Sequence, residues 1–182
     1  MSFRYRGYLP HMEQADYQMI TYRLADALPQ SLLREIRRQT AEDTQKRKQI
    51  EAALDQGYGA CWLRHPETAA VIIENWRHFH GQRYDLVAFV VMPNHVHLLI
   101  RVYPGELLST IVQGWKSYTA KIIHRQHPAA GAQIWQEDYW DRFIRNETHY
   151  QRAIHYIHEN PVTAGLAATA EQWPFSSASL EP

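Results

Sequence analysis

Residues 84–102, YDLVAFVVMPNHVHLLIRV, decide how this chain folds. Residues 84–92 are an apolar run of strand length, the pattern of a central strand covered on both faces. Pro93-Asn94 is a turn signal, and His95–Val102 reads as the antiparallel partner. Upstream, QMITYRL at 18–24 is short, β-branched and aromatic, and predicts a first strand. Pro29 opens a helix-favouring stretch over 30–54 that stops at Gly57 and Gly59. Its middle, QTAEDTQKRKQ, is almost wholly polar, which predicts a solvated helical arm, about 30–57, projecting from the body. Pro66 starts a helix to residue 79 that Gly81 ends. Another helix over 106–125 carries an apolar stripe through Leu108, Ile111, Val112, Trp115, Thr119, Ile122 and Ile123. YWDRFI at 139–144 is a strand candidate, and Asn146 can cap a last helix that ends at Glu159, before Pro161. Helices and strands mixed around one hairpin predict a single α+β domain over 1–182 with an antiparallel sheet.

Composition narrows the function classes. An apolar fraction of 45% suits a folded globule. The longest apolar run, residues 86–92, falls far short of the roughly 18 residues of a membrane-spanning helix. The N-terminus lacks the apolar core of a signal peptide, so a cytoplasmic protein is expected. The one cysteine, Cys61, can neither form an internal disulfide nor build a Cys-type zinc site. Nineteen basic and nineteen acidic residues cancel, so any nucleic-acid surface must come from segregated charge. Two clusters offer it: Arg4, Tyr5 and Arg6 near the N-terminus, and Lys46, Arg47 and Lys48 on the polar arm.

On a strand, His95 and His97 share one face while Val96 points to the other. Two satisfied structural histidines are one reading. The apolar setting favours another, because buried imidazoles without partners cost desolvation and a divalent ion is an economical partner. Two histidines leave coordination positions for substrate oxygens and water, as phosphoryl transfer requires. Tyr118 lies at the edge of the apolar stripe of its helix, where its hydroxyl can reach the margin of the protein. It reads either as an amphipathic core tyrosine or as a nucleophile helped by a metal-polarised phosphate. Lys116, Lys121 and Arg125 add positive charge to the same helix. Trp135, Trp140 and Trp173 read as core or tail-docking anchors, and Gly114 as a site of close backbone packing.

VVMPNHVHLLI, followed by GWKSYTAK, IWQEDYWDRFIRNETHYQRAIHYIHENPVTAGL and EQWPFSSA, resembles the HUH endonucleases. Among these it is similar to the REP-associated tyrosine transposases, best over 84–178. The resemblance implies a ferredoxin-like or RRM-like antiparallel sheet with flanking helices. It implies that His95 and His97 hold Mg²⁺ or Mn²⁺ and that Tyr118 attacks phosphorus, giving a 5′-phosphotyrosine and a free 3′-OH. It implies a substrate of single-stranded DNA with REP-type hairpins and favours a monomer; the candidate contacts to that DNA are Arg4, Tyr5, Arg6, Lys46, Arg47, Lys48, Lys116, Lys121 and Arg125. Related single-tyrosine transposases carry a third metal ligand, usually Gln, four residues after the tyrosine. Here that position is Ile122, which leaves Glu137, Asp141, His149, water or a substrate oxygen as candidates. Because of that departure, a non-catalytic, domesticated module that holds structured single-stranded nucleic acid is the alternative function.

Overall fold

The computed structural model describes residues 17–39 and 42–180. Its elements run β1 (Tyr17–Arg23), α1 (Gln30–Gln39), α2 (Asp43–Leu54), α3 (Pro66–His78), β2 (Tyr84–Val91), β3 (His95–Val102), α4 (Leu108–Gln126), β4 (Trp140–Phe143) and α5 (Glu147–Thr163). The hairpin anticipated from the sequence is present, with Tyr84 opposite Val102 and Val91 opposite Val96. The sheet order is β2-β3-β1-β4 and every pairing is antiparallel. With α3 crossing between β1 and β2, and α4 between β3 and β4, this is the ferredoxin-like arrangement.

Side-chain alternation along β3 divides the core into two layers. Val96, Leu98 and Ile100 pack with Ile72 and Trp76 of α3 and with Ile111 and Trp115 of α4. Leu99, two residues after His97, packs instead with Ala153 and Ile157 of α5. A bulge between Leu86 and Ala88 lets β2 change faces, so Tyr84 joins the first layer while Ala88 and Val90 join the second. Buried aromatic rings lock the α3/α4 layer, and their polar ends are satisfied. Trp76 Nε1 donates to the Tyr22 hydroxyl at 3.0 Å, Trp115 Nε1 to the Tyr84 hydroxyl at 3.0 Å, and Trp135 Nε1 to Thr119 Oγ1 at 3.0 Å. These bonds turn Trp115 and Thr119 of α4 toward the sheet.

Residues 173–177 run along the outer edge of β2. Trp173 Nε1 donates to the Val91 carbonyl at 2.9 Å, Val91 N–H to the Phe175 carbonyl at 2.8 Å, and Phe89 N–H to Ser177 Oγ at 3.0 Å. The tail thus covers backbone groups that an open edge would expose, and Trp173 is the docking anchor expected of it. Among the described residues, no helix is long and apolar enough to cross a membrane.

Three expectations are corrected. The stretch 30–54 is two helices rather than one projecting arm, because α2 has an inward face: Ala53 and Leu54 are buried in the core and Ile50 packs against it. The last helix does not stop at Glu159 but continues through Pro161 to Thr163. So near the helix end, proline forfeits only the bond to the Ile157 carbonyl. Ala164 N–H to Asn160 O at 3.0 Å and Leu166 N–H to Pro161 O at 2.8 Å close the end. Gly114 has no close backbone neighbour, since a Cβ there would meet nothing within 4 Å. Gly114→Ala should therefore stabilise the fold by about 1 kcal/mol through helix propensity alone, read as a rise in the denaturant midpoint at constant slope.

Candidate active site

His95 and His97 stand together on the α5 side of β3, both buried, with ring centroids 4.8 Å apart. Their hydrogen bonds decide which nitrogens face the cavity. Asn94 Nδ2 donates to the Tyr58 carbonyl at 3.0 Å, which leaves Asn94 Oδ1 as an acceptor 2.8 Å from His95 Nδ1. His95 therefore carries its proton on Nδ1 and keeps a lone pair on Nε2. The Thr21 hydroxyl, 2.7 Å from His97 Nδ1, can accept in the same way and leave the lone pair of that ring on Nε2. Burial holds both rings neutral: His97 is pushed down to about 3, and His95 well below its ordinary value, with His97 and Arg23 adding to the effect.

α2 supplies acidic groups that its polar sequence gave no reason to place here. Asp55, at the end of α2, brings Oδ1 to 3.9 Å from His95 Nε2, and that oxygen has no hydrogen-bond partner among the described residues. Burial first, and the neighbouring Glu51 second, raise its carboxyl to about 6. The loop after α2 is pinned at Gly59, whose φ of +86 suits glycine and where a Cβ would sit 2.5 Å from the Asp26 carbonyl oxygen. Asp26 Oδ2 in turn accepts the Ala60 N–H at 2.8 Å.

α5 supplies the remaining groups. The Tyr156 ring packs edge-on against His97, with centroids 5.3 Å apart, and it shares a cavity with the Glu51 carboxylate. Burial, then the charges of Glu51 and Asp55, push the phenol above its ordinary value. One helical turn further, Asn160 is buried, and its Oδ1 has no partner among the described residues. A cavity of about 290 Å³ opens beside Tyr156, lined by Thr21, Arg47, Glu51, Arg142, His149 and Arg152 among others. It runs into a shallow depression where Arg145, Asn146 and Thr148 join Arg142, His149 and Arg152. Burial pushes His149 down, and the charges of Arg142, Arg145 and Arg152 push it further.

Tyr118 is not in this site. It is 52% exposed on α4, in a groove with Phe79 and Arg83, on the α3/α4 side of the sheet. The sheet itself separates it from the histidines, because α4 packs on the Val96/Leu98 side of β3 and the imidazoles alternate to the α5 side. Lys116, a candidate nucleic-acid contact, is engaged within the fold. Its ammonium donates to the carbonyls of Gln136 at 2.7 Å, Glu137 at 2.8 Å and Asp138 at 3.3 Å, which staples the approach to β4. Lys121 and Arg125 are exposed on α4, away from the cavity.

Of the arm cluster, Lys48 is exposed, Lys46 pairs with Asp43 at 3.4 Å, and Arg47 enters the cavity to pair with Glu51 at 3.3 Å. Arg4, Tyr5 and Arg6 lie outside the described residues. Among the third-ligand candidates, Glu137 is an exposed residue of the Lys116 staple, and His149 lines the cavity. Asp141 pairs with Ile20, so strand alternation directs it away from the face shared by Thr21 and His97. Sequence reading gave the segment of Tyr156 and Asn160 a cap-and-turn role rather than a catalytic one, and did not single out Glu51, Asp55, Arg142 or Arg152. One signal was legible: His149, Tyr156 and Asn160 fall on one stripe of a helix.

A family profile described as transposase, IS200-like, matches residues 67–160. A REP-associated tyrosine transposase of Escherichia coli (strain K12) is 30% identical over 95 residues, covering 52% of this chain and 54% of the relative. A Haemophilus influenzae protein is 26% identical over 112 residues, covering 52% of this chain and 58% of its own length. The chain thus spans about half the length of the curated relatives it matches. The solved structure of a REP-associated tyrosine transposase bound to a REP hairpin aligns over 100% of this chain and 89% of that one. That alignment has a TM-score of 0.56 and 24% identity, a likeness of fold.

Proposed function

We infer that this chain, which belongs to the IS200-like transposase family, cuts and rejoins single-stranded DNA, with Tyr156 as its nucleophile. The observation that carries this reading is the Tyr156 ring packed against His97 at the mouth of an arginine-lined cavity. Attack by the Tyr156 oxygen on a phosphate seated there would leave a 5′-phosphotyrosine and a free 3′-OH, whose return attack reseals the strand. All of these groups come from one chain, so a monomer suffices.

The side chains present fit a small divalent ion, Mg²⁺ or Mn²⁺. His95 Nε2 and His97 Nε2 can present lone pairs, and Asn160 Oδ1 is a buried oxygen without a hydrogen bond among the described residues. Asn160 stands four residues after Tyr156, the spacing at which related transposases carry their third ligand. Ile122 offers no donor at the equivalent place after Tyr118. Among the described residues no three His, Cys, Asp or Glu side chains converge on one point, so the third donor is read as this amide. Asp55 faces the His95 lone pair at 3.9 Å, two electron-rich atoms whose opposition a cation would relieve. A bound divalent ion would polarise the scissile phosphate and offset its charge.

Arg142, Arg145 and Arg152 are the phosphate contacts this reading favours, and single-stranded DNA bearing a REP-type hairpin is the proposed substrate. Arg152→Ala should weaken hairpin binding and lower the salt slope of log K by about 0.7, one single-strand phosphate contact. Lys116→Ala should leave that slope unchanged and instead lower thermal stability, because it frees three carbonyls.

The test is incubation with Mn²⁺ or Mg²⁺ and a single-stranded REP-type hairpin, followed by SDS gel electrophoresis. A protein–DNA adduct that survives SDS is expected. Tight hairpin binding with no adduct under either metal would sink the cutting reaction in favour of a binding module.

A further inference from the structure

We propose that Glu51 is the general base that takes the proton from Tyr156 as the tyrosine attacks DNA. The proposal rests on the reading of Tyr156 as nucleophile. Its basis is placement: Tyr156 and Glu51 line one cavity, which Arg142 and Arg152 flank, close enough that the charge of Glu51 acts on the phenol. α2 delivers the carboxylate by simple helical geometry. Arg47, Glu51 and Asp55 recur every four residues, so one face of α2 presents all three toward α5 and the histidines. Arg47 Nε lies 3.3 Å from Glu51 Oε1 and holds the carboxylate in place, which makes Arg47 a positioning residue.

The other candidate bases are occupied or misdirected. The Nδ1 atoms of His95 and His97 are engaged by Asn94 and Thr21, and their Nε2 atoms are the proposed metal donors. Asp55 faces His95. A phenol, with an ordinary pKa of about 10, is protonated near neutral pH, so a base must take its proton as it attacks. Burial also raises the Glu51 carboxyl, which makes it a stronger acceptor than an exposed glutamate.

The step balances. The Tyr156 O–H bond breaks and its proton passes to Glu51, while the phenolic oxygen forms a bond to phosphorus. The bond from phosphorus to the 3′ oxygen breaks, and that oxygen leaves with the electron pair and takes a proton from water. In rejoining, the 3′-OH attacks phosphorus and gives its proton to water, and Glu51 returns its own proton to the departing Tyr156 oxygen.

The experiment measures single-turnover adduct formation with Mn²⁺ and a single-stranded REP-type hairpin oligonucleotide, together with hairpin affinity and thermal midpoint. Glu51→Gln should slow adduct formation about 10²–10⁴-fold while hairpin affinity holds. In Glu51→Ala, added formate should restore the rate in proportion to its concentration, which a merely structural role would not allow. If Glu51→Gln does not fold, Glu51→Asp keeps the charge beside Arg47 and should be slowed by its shortened reach. A wild-type rate in the folded Gln or Asp variant, or an Ala variant indifferent to formate, overturns the proposal. Tyr156→Phe separates the two readings. No adduct there, with an undiminished rate in Glu51→Gln, removes the base alone, whereas an adduct in Tyr156→Phe removes the nucleophile and with it the proposal.

Discussion

Tyr156→Phe is expected to abolish the SDS-resistant adduct, with a loss of at least about 10⁴-fold, while Tyr118→Phe leaves adduct formation near wild type. The physical reason lies in which side of the sheet each ring occupies. Tyr118 extends from α4 into a groove with Phe79 and Arg83, and a four-stranded sheet stands between it and the imidazoles. Tyr156 touches His97 directly. The phenylalanine variant removes one oxygen and keeps the ring, so its edge-on packing and the buried neighbours Ala153 and Ile157 are preserved. Hairpin binding should therefore persist, because the arginines that favour phosphate are untouched. An adduct lost in Tyr118→Phe and kept in Tyr156→Phe would reverse the assignment.

The second large effect is expected at His97. His97→Ala should weaken Mn²⁺ binding, measured by the loss of free-ion EPR signal on titration, and slow adduct formation about 10³-fold, several kcal/mol of lost charge stabilisation. The metal titration gives a readout independent of turnover. Thr21→Val makes a finer test, since it keeps the imidazole and removes the group that accepts its Nδ1 proton. Metal affinity should fall about 10-fold or more there, as for other groups that orient a ligating histidine. Wild-type Mn²⁺ affinity in His97→Ala would show that the pair is structural.

Much of the fold was legible before any tertiary contact. The run over 84–92, the Pro93-Asn94 turn and the alternation after His95 specify a hairpin, because strand periodicity and turn chemistry are local properties. Pro66, Asn146 and the apolar stripe around Trp115 fix helices for equally local reasons, and the Asn146 cap is present, accepting the His149 N–H at 2.9 Å. The polar segment over 39–49 misled because charge along a helix does not say whether the helix stands in solvent or faces a polar cavity. Arg47 and Glu51 are charged and partly buried because the surface they cover is the site itself.

The tyrosine marks the boundary between the two kinds of information. Sequence alone places His95 and His97 on one face of one strand, a relation fixed by the two-residue period of the pleat. It also places both Tyr118 and Tyr156 on helices, and the helix-edge position of Tyr118 drew the nucleophile reading to the opposite side of the sheet from the histidines. Only tertiary structure decides which helix shares the side of the sheet with the histidines. That choice is made by topology: the two crossover helices pack on the Val96/Leu98 side, leaving the opposite side to α5, toward which α2 turns Arg47, Glu51 and Asp55. The sequence by itself determined the hairpin and the histidine pair, and the stacking of layers, a matter of contacts distant along the chain, decided what they face.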